Sequence, residues 1–508
     1  MICREINFAS MTFLSYVFMG VYGFVLLILC AYGFHRYWIL YAYWKHRNPR
    51  PFTEPSLPRS LPPVTIQLPV YNEFYVLRRL VESVCALDYP RELMEIQVLD
   101  DSTDETCRLA QDVVAEARMK GFDAHCLHRP SRDGFKAGAL AWGLTQARGR
   151  FIAVFDADFT PPPDFLKKTL PYFQDPSIGM VQTRWGHLNA GYSLLTRMQA
   201  VFLDGHFILE HTARYRSGAF FNFNGTAGIW RREAIEGSGG WQSDTLTEDL
   251  DLSYRAQMAG WKFIFLPHVV CPGELPVDIH SYRSQQYRWA KGSLQVARKL
   301  LGALLRRPVS WRIKLEACAH LTANLGYAFV VALALLFFPS LIVRQAVHWS
   351  VIPVLEVGAF FLTVVSIVSF YGVALKEIYP DWRWRCRDIP ILMAFGVGMC
   401  VNNSRAVLHA LFNVPSSFER TAKFNVHLAG EPWKGKFYRN RGFSYGAIEL
   451  GLLTYISATF LWAFEARMWT SLPFISFYLV GFAYIGYLSF NHRWGGAFQF
   501  LRQARSPT

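Results

Sequence analysis

At 508 residues the chain is too long for one ordinary core, so two or three structural units are expected. It is 52% hydrophobic and 16% aromatic with only 18% charged residues, which is oily for a soluble enzyme and polar for a pure transporter; a soluble domain fused to membrane spans fits best. The net charge of +14 reads as the Lys/Arg excess of cytoplasmic membrane loops, and no nucleic-acid partner is expected.

In chain order, residues 1–44 form a first transmembrane helix. No charge stands between Glu5 and Arg36, and about 20 apolar residues cross a bilayer. A basic n-region and an A-x-A site are missing, so a retained span is expected rather than a signal peptide. His35, Arg36, Lys45, His46, Arg47 and Arg50 follow, placing that end in the cytosol. Residues 45–62 are a proline-rich linker. From 63 to 275 strand-like and helix-like stretches alternate, the mark of a mainly parallel α/β sheet. Strands are expected at Val64–Pro69, Glu95–Leu99, Phe151–Phe155, Gly179–Thr183, Thr226–Trp230 and Lys262–Leu266, with helices at Val76–Leu87 and Thr106–Lys120. Residues 276–313 interleave Arg288, Lys291, Arg298, Lys299, Arg306 and Arg307 with Trp289, Leu294, Leu300 and Leu304, as in helices lying in a membrane interface. Two transmembrane helices follow in 314–376 (runs Ala317–Val343 and Val357–Leu375) and two more in 442–492 (Gly442–Phe464, broken only by Glu449, and Met468–Asn491).

Between them lies the ambiguous run Ile389–Ser404, within 377–413. If it crosses the bilayer, the loop with Arg420, Lys423, Lys434, Lys436, Arg439 and Arg441 falls outside, as does the tail 493–508 with Arg493, Arg502 and Arg505. If it lies along the interface, both fall inside, which the charge rule favours. Five spans are therefore expected, N-terminus out and C-terminus in. The nine cysteines show no zinc-like spacing and read as scattered thiols on a cytosolic face.

The soluble part is organised around Phe151-Ile152-Ala153-Val154-Phe155-Asp156-Ala157-Asp158. An apolar run reads as a buried parallel strand, and ligands of such sheets bind beyond the strands' carboxyl ends. Asp156 and Asp158 repel each other unless something positive lies between them. A divalent, oxygen-loving cation carrying phosphate satisfies that demand; a helix cap is the alternative. Tyr71-Asn72-Glu73 and Asp100-Asp101-Ser102 close the first two strands, where a ring can stack on a nucleobase and carboxylates can accept from base or ribose; capping turns are again the alternative. Lys136, after Asp133-Gly134-Phe135, is a point charge suited to a diphosphate, or part of a surface turn. Thr247-Glu248-Asp249 opens a helix-like stretch and offers either a cap or a general base whose pKa its acidic neighbours raise. Gln285, Arg288 and Trp289 share one helical face, suiting a phosphate leaving group beside a sugar ring or, alternatively, a membrane anchor.

Taken together, Tyr-Asn-Glu, Asp-Asp-Ser, Asp-Gly-x-Lys-Ala-Gly, Asp-x-Asp, Thr-Glu-Asp and Gln-x-x-Arg-Trp resemble the family 2 glycosyltransferases that polymerise β-glycans: the cellulose, chitin, hyaluronan and mannan synthases. Gln97–Asp104, Phe223–Gly228 and Gly260–Phe263 are especially similar to plant mannan/glucomannan synthases and the glucan synthases of xyloglucan backbones. The resemblance implies a GT-A domain inserted into an α-helical transmembrane region and an inverting single displacement. It implies that Tyr71, Glu73, Asp100 and Asp101 hold the nucleoside, and that Asp156 and Asp158 bind Mg²⁺ or Mn²⁺ with the diphosphate, assisted by Lys136 and Arg288. Asp249 is then the base, flanked by Glu248, with Gln285 nearby and Trp289 under the terminal sugar. Phe223, Asn224, Gly225 and Thr226 would border the acceptor. Residues 414–441 contain Phe418-Glu419-Arg420-Thr421-Ala422-Lys423, similar to the family's gating loop. The chain departs from bacterial cellulose synthases in having fewer N-terminal spans and no room for a cyclic-dinucleotide-binding domain.

The expectation is a multi-pass membrane enzyme with a cytosolic catalytic domain, in the plasma (inner) membrane if bacterial and the Golgi if eukaryotic. It would transfer hexose from GDP-mannose or UDP-glucose to a polysaccharide acceptor, a β-1,4-mannan or glucan, and translocate the polymer, with homo-oligomerisation open. Single transfer to a lipid acceptor and a non-catalytic transporter are the alternatives.

Overall fold

A computed structural model describes residues 2–47, 55–347, 351–416, 418–433, 436 and 446–503. Part of the proline-rich linker, Lys434, Arg439, Arg441 and Arg505 lie outside these residues. The chain divides into two compact units, one built from Tyr41–Leu321 with Val414–Arg441, the other from Met1–Leu40, Thr322–Asn413 and Gly442–Thr508.

The first unit is an α/β domain around a seven-stranded sheet of order β3-β2-β1-β4-β6-β5-β7. Its strands are β1 (Val64–Val70), β2 (Met94–Asp100), β3 (Asp123–His128), β4 (Phe151–Val154), β5 (Ile178–His187), β6 (Gly228–Arg231) and β7 (Lys262–Gly273). All neighbours pair in parallel except β6, which runs against both β4 and β5. β2 and β4 are buried throughout and β1 almost so, as expected for strands covered on both faces. The polar residues inside them meet in register. Thr65 donates to Glu95 at 2.6 Å and Gln67 to Gln97 at 3.1 Å, which pairs most of the polar atoms inside the sheet and leaves the Gln67 Oε1 buried without a partner.

The expected strands are present with shifted ends. β5 and β7 continue past Thr183 and Leu266 through a register shift and pair as far as His187 and Gly273. β3 was not expected. Its sequence, Asp-Ala-His-Cys-Leu-His, lacks an apolar run because it is an edge strand paired only with β2. The sheet's topology sets up the site. β1, β2 and β4 all end at one edge, and antiparallel β6 begins there, so the 222–227 loop arrives beside Asp156. β7 reaches the same place through a bridge between Phe159 and Gly273.

The helix Ile279–Val296, with π-helical Ala297–Leu301 and the short Gly302–Arg306, packs within this unit; Lys291 and Arg283 on it are buried.

The second unit is helical. Among the described residues five helices are long and apolar enough to cross a membrane: Ser15–Lys45, Leu325–Gln345, Glu356–Ile378, Ala447–Glu465 and Leu472–Asn491. The Ile389–Ser404 region is not one straight helix. Trp382–Gly398 and Cys400–Leu411 meet at 45°, and they make a sixth crossing if counted as one span. Gly398 and Gly481 let two backbones touch: a methyl on Gly398 would sit 2.5 Å from the Gly481 carbonyl oxygen. The lone Glu449 is buried and accepts from Ser489 at 2.9 Å. Near the other ends of these helices, Glu356 accepts from Tyr22 and Arg344, each at 2.6 Å, and Arg344 also donates to Ser471 at 3.2 Å.

Candidate active site

The strand ends converge on one cleft, lined among others by Tyr71, Glu73, Asp101, Lys136, Asp156, Asp158, Asn224, Gly225, Glu248 and Asp249, with Gln285, Arg288, Trp289, Phe418, Arg420, Thr421 and Lys423. Asp156 and Asp158 follow β4 directly, and no helix begins there: the next, Phe165–Thr169, has Asp164 at its N-cap. The capping alternative therefore fails for this pair. The Asp156 N–H donates to the Thr226 hydroxyl at 2.8 Å, fixing the strand end against the 222–227 loop.

Each carboxylate meets an ammonium. Lys136 donates to Asp156 Oδ1 at 2.6 Å and to the Gly225 carbonyl at 2.9 Å, while Lys423 donates to Asp158 Oδ2 at 2.6 Å. Burial raises the Asp156 carboxyl pKa, opposed by Lys136. Burial also works against the charge of Lys136, but Asp156 and Glu248 outweigh it and keep the lysine protonated. Two hard oxygen donors lining a cleft are the kind of set that Mg²⁺ or Mn²⁺ takes in nucleotide sites, so the residues fit such an ion once the Lys423 contact gives way.

Lys136 reaches this position from a turn with Gly134 at φ +70°, which starts the helix Phe135–Gln146. Its Nζ lies 3.8 Å from Glu248 Oε1. Asp249 and Lys136 both approach Gly225: a methyl there would lie 3.1 Å from Asp249 Oδ2 and 3.2 Å from Lys136 Nζ. With φ +78° as well, position 225 suits glycine alone. Glu248 and Asp249 open the helix Glu248–Met258, yet Thr247 makes no side-chain cap there. Burial, then repulsion from Glu248, push the Asp249 carboxyl up to about 7 against the pull of Lys136. A carboxylate poised near neutrality beside a cation is equipped to accept a proton.

Gln285, Arg288 and Trp289 all face the cleft from one side of their helix. Arg288 donates to Thr421 Oγ1 at 3.0 Å and lies 4.6 Å from the Phe418 ring centroid; burial lowers its pKa to about 10. Trp289 packs beside Trp185, 6.5 Å between centroids.

On the nucleoside side, Asn72 ties the ends of β1 and β2 together: its N–H donates to Ser102 at 2.8 Å and its side chain accepts from the Thr103 N–H at 2.9 Å. Burial raises the Glu73 carboxyl to about 8, with Arg420, 3.4 Å away, pulling it down.

Three expected residues lie elsewhere. Asp100 is buried and turned from the cleft, accepting from the Ser102 N–H at 3.0 Å and paired with His128 at 2.8 Å. Cys107 lies close enough to these two for a three-ligand set, but its thiol donates to the Ser102 carbonyl at 2.8 Å. Phe223 is core, packed edge-on to Trp230, and Thr226 has no exposed surface; both support the loop that presents Asn224 and Gly225 rather than lining the cleft.

Several residues were not singled out from the sequence. Arg129 grips Asp101 with two hydrogen bonds at 2.7 and 2.5 Å, and Arg132 lies 3.4 Å from the Tyr71 ring centroid. Their signal was the dibasic stretch Arg129-Pro130-Ser131-Arg132 ahead of Gly134. Arg79 and Glu274 hold the segment carrying Phe418–Lys423, and nothing local in the sequence marks them. Behind Asn224, His206 and His211 contact its side chain at 3.2 and 2.6 Å from a π-helical stretch.

A family model described as "Glycosyltransferase like family 2" matches residues 62–292. "Probable glucomannan 4-beta-mannosyltransferase 1" of Arabidopsis thaliana is 37% identical over 340 residues, 64% of this chain and 61% of its own length. "Probable glucomannan 4-beta-mannosyltransferase 11" of the same plant is 36% identical over 340 residues, 64% of this chain and 76% of its own. "Glucomannan 4-beta-mannosyltransferase 1" of Oryza sativa subsp. japonica is 41% identical over 265 residues, 51% of each chain. The chain thus spans 61% of the first of these relatives. Among solved structures, "Mannosyltransferase PcManGT from Pyrobaculum calidifontis in complex with GDP-Man and Mn2+" superposes with a TM-score of 0.51 at 21% identity, covering 77% of this chain and 99% of that one. That likeness shows the fold.

Proposed function

This chain belongs to the glycosyltransferase-like family 2, and on that premise we propose that it is an inverting membrane mannosyltransferase that extends a β-1,4-linked mannan or glucomannan from GDP-mannose. One observation carries the reading: Asp249, raised to about 7, shares a cleft with the Asp156–Asp158 pair, and Lys136 is bonded to Asp156 within it. The names of the relatives favour mannose over glucose.

In this reading Asp249 accepts the proton of the acceptor hydroxyl as its oxygen attacks the anomeric carbon from the face opposite the diphosphate. The new C–O glycosidic bond forms, the sugar–phosphate C–O bond breaks, and the electron pair leaves with the nucleoside diphosphate. Lys136 and Arg288 meet the charge that develops on the leaving group. A divalent cation held by Asp156 and Asp158 would neutralise the same diphosphate. Tyr71, Glu73 and Asp101 hold the nucleoside, Trp289 carries the terminal sugar, and Asn224 and Gly225 border the acceptor. Phe418–Lys423 covers the nucleotide. The excess of basic residues flanking the apolar helices supports a catalytic unit on the cytosolic side, of the Golgi in a eukaryote, and the helical unit would pass the polymer across.

The test is a donor screen on the full chain in detergent, with Mg²⁺ and Mn²⁺, followed by linkage-specific digestion of the product. GDP release from GDP-mannose and a ladder cut by endo-β-1,4-mannanase are expected. A single mannosylated lipid, or no nucleoside diphosphate from any donor, would contradict the reading.

A further inference from the structure

The segment Phe418–Val426 makes two kinds of contact. On the cleft side its cations sit on the carboxylates that a donor needs: Arg420 lies 3.4 Å from Glu73, and Lys423 donates to Asp158 at 2.6 Å. Those contacts must give way when a metal–diphosphate arrives. At the other end the contacts touch no side chain of the proposed donor site. Glu274, 2% exposed, accepts the backbone N–H groups of Phe424 at 2.8 Å and Asn425 at 3.1 Å through one carboxylate oxygen, and its other oxygen lies 3.5 Å from Arg79. Arg79 also donates to the Asp158 carbonyl at 3.1 Å and contacts the Asn425 side chain and His427, the latter at 3.0 Å. A buried carboxylate accepting two main-chain N–H groups is a strong, directional hold. Asn425, at φ +52°, turns the chain there in a conformation asparagine tolerates. Phe424 and Val426 pack with Val277 beneath it.

We propose that Glu274 and Arg79 are positioning residues that clamp Phe424–Asn425 as the fixed anchor of this flap, about which Phe418, Arg420 and Lys423 leave and re-enter the cleft. The proposal rests on the function argued above. It also assigns a coupling. Arg79 bonds both to the carbonyl of Asp158 and to the flap, so the anchor keeps the flap in register with the metal-binding strand end while its tip moves.

The test uses the full chain in detergent, with Glu274→Ala, Arg79→Met and the double variant, each checked for wild-type melting temperature. Trypsin cleavage after Arg420 and Lys423 is followed with and without GDP and Mn²⁺, alongside KM and kcat for GDP-mannose. Each single variant should be cut at least about tenfold faster, resist protection by GDP and Mn²⁺, and raise KM about tenfold with a smaller change in kcat, this being the loss of one charge-assisted contact set. The double variant should be no worse than either, since both residues serve one anchor. Folded variants with wild-type cleavage and KM would overturn the anchor. If Glu274→Ala fails to fold, Arg79→Met, whose side chain lies at the edge of the cluster, decides. The proteolysis arm needs no turnover, so a wild type that releases no GDP would refute the proposed function and leave the anchor to be judged on cleavage alone.

Discussion

The two units treat buried charge in opposite ways. In the helical unit, Glu356 is matched by Arg344 and Tyr22, and Glu449 by the Ser489 hydroxyl. In the α/β unit, Asp156, Asp158, Glu248 and Asp249 crowd around Lys136, Arg288 and Lys423, and burial pushes Asp249 and Glu73 up to about 7 and about 8. Charges paired one to one hold helices together. Charges crowded past neutral pairing are costly to folding and useful to chemistry. The contrast predicts that cleft substitutions cost activity with little stability, and that substitutions in the helical pairs do the reverse.

Short of the base itself, the largest effect should come from Asp156→Ala, which removes half of the proposed metal-binding pair and the main partner of Lys136. GDP release should fall about 10²–10³-fold, typical for losing an electrostatic contact to the transition state. The melting temperature should stay within a few degrees of wild type, and GDP affinity should no longer depend on Mn²⁺. Undiminished activity in EDTA would contradict the metal role.

Next, Arg344→Met leaves Glu356 buried without its cation, a change that costs about 3–5 kcal/mol. Thermal unfolding of the detergent-solubilised chain should show the loss, and adding Glu356→Leu should recover most of it. A single variant as stable as wild type would break the comparison.

A smaller effect is expected from Gly225→Ala. Its methyl would press on Asp249 and Lys136 at 3.1 and 3.2 Å, from a backbone at φ +78°. Left-handed strain of roughly 1–2 kcal/mol should appear as about a tenfold loss of kcat with folding intact.

The mildest test is pH. Asp249 must be ionised to take a proton, and its pKa is raised to about 7, so below that pH it is protonated and idle. The rate should rise about tenfold per pH unit on the acid side and level off above about 7. Glu248→Gln removes the second cause of the shift and should move the midpoint down. An unshifted midpoint would assign the titration to another group.

Much of this was legible in the chain. Phe151–Asp158 has the apolar run of a buried strand and the twin carboxylates that stand in the cleft at its end, and both unit types show in hydropathy. What escaped did so for physical reasons. β3 is an edge strand and needs no apolar signature. Asp100 looks like its neighbour Asp101 in sequence, yet alternation along a strand sends adjacent side chains to opposite faces, here one to His128 and one to the cleft side. Glu274 and Arg79 matter through contacts with residues 79 to 346 positions away, which no local pattern encodes. The bend between Gly398 and Cys400 sits beside the close approach of Gly398 to Gly481, another long-range contact.

The central claim is that Asp249 performs the proton transfer in a cleft whose other carboxylates hold the donor. Its most direct test measures GDP affinity with Mn²⁺ and GDP-mannose turnover on one preparation of Asp249→Asn. The account predicts wild-type affinity with turnover reduced by about 10³–10⁴-fold. Polymer formation near the wild-type rate would contradict it.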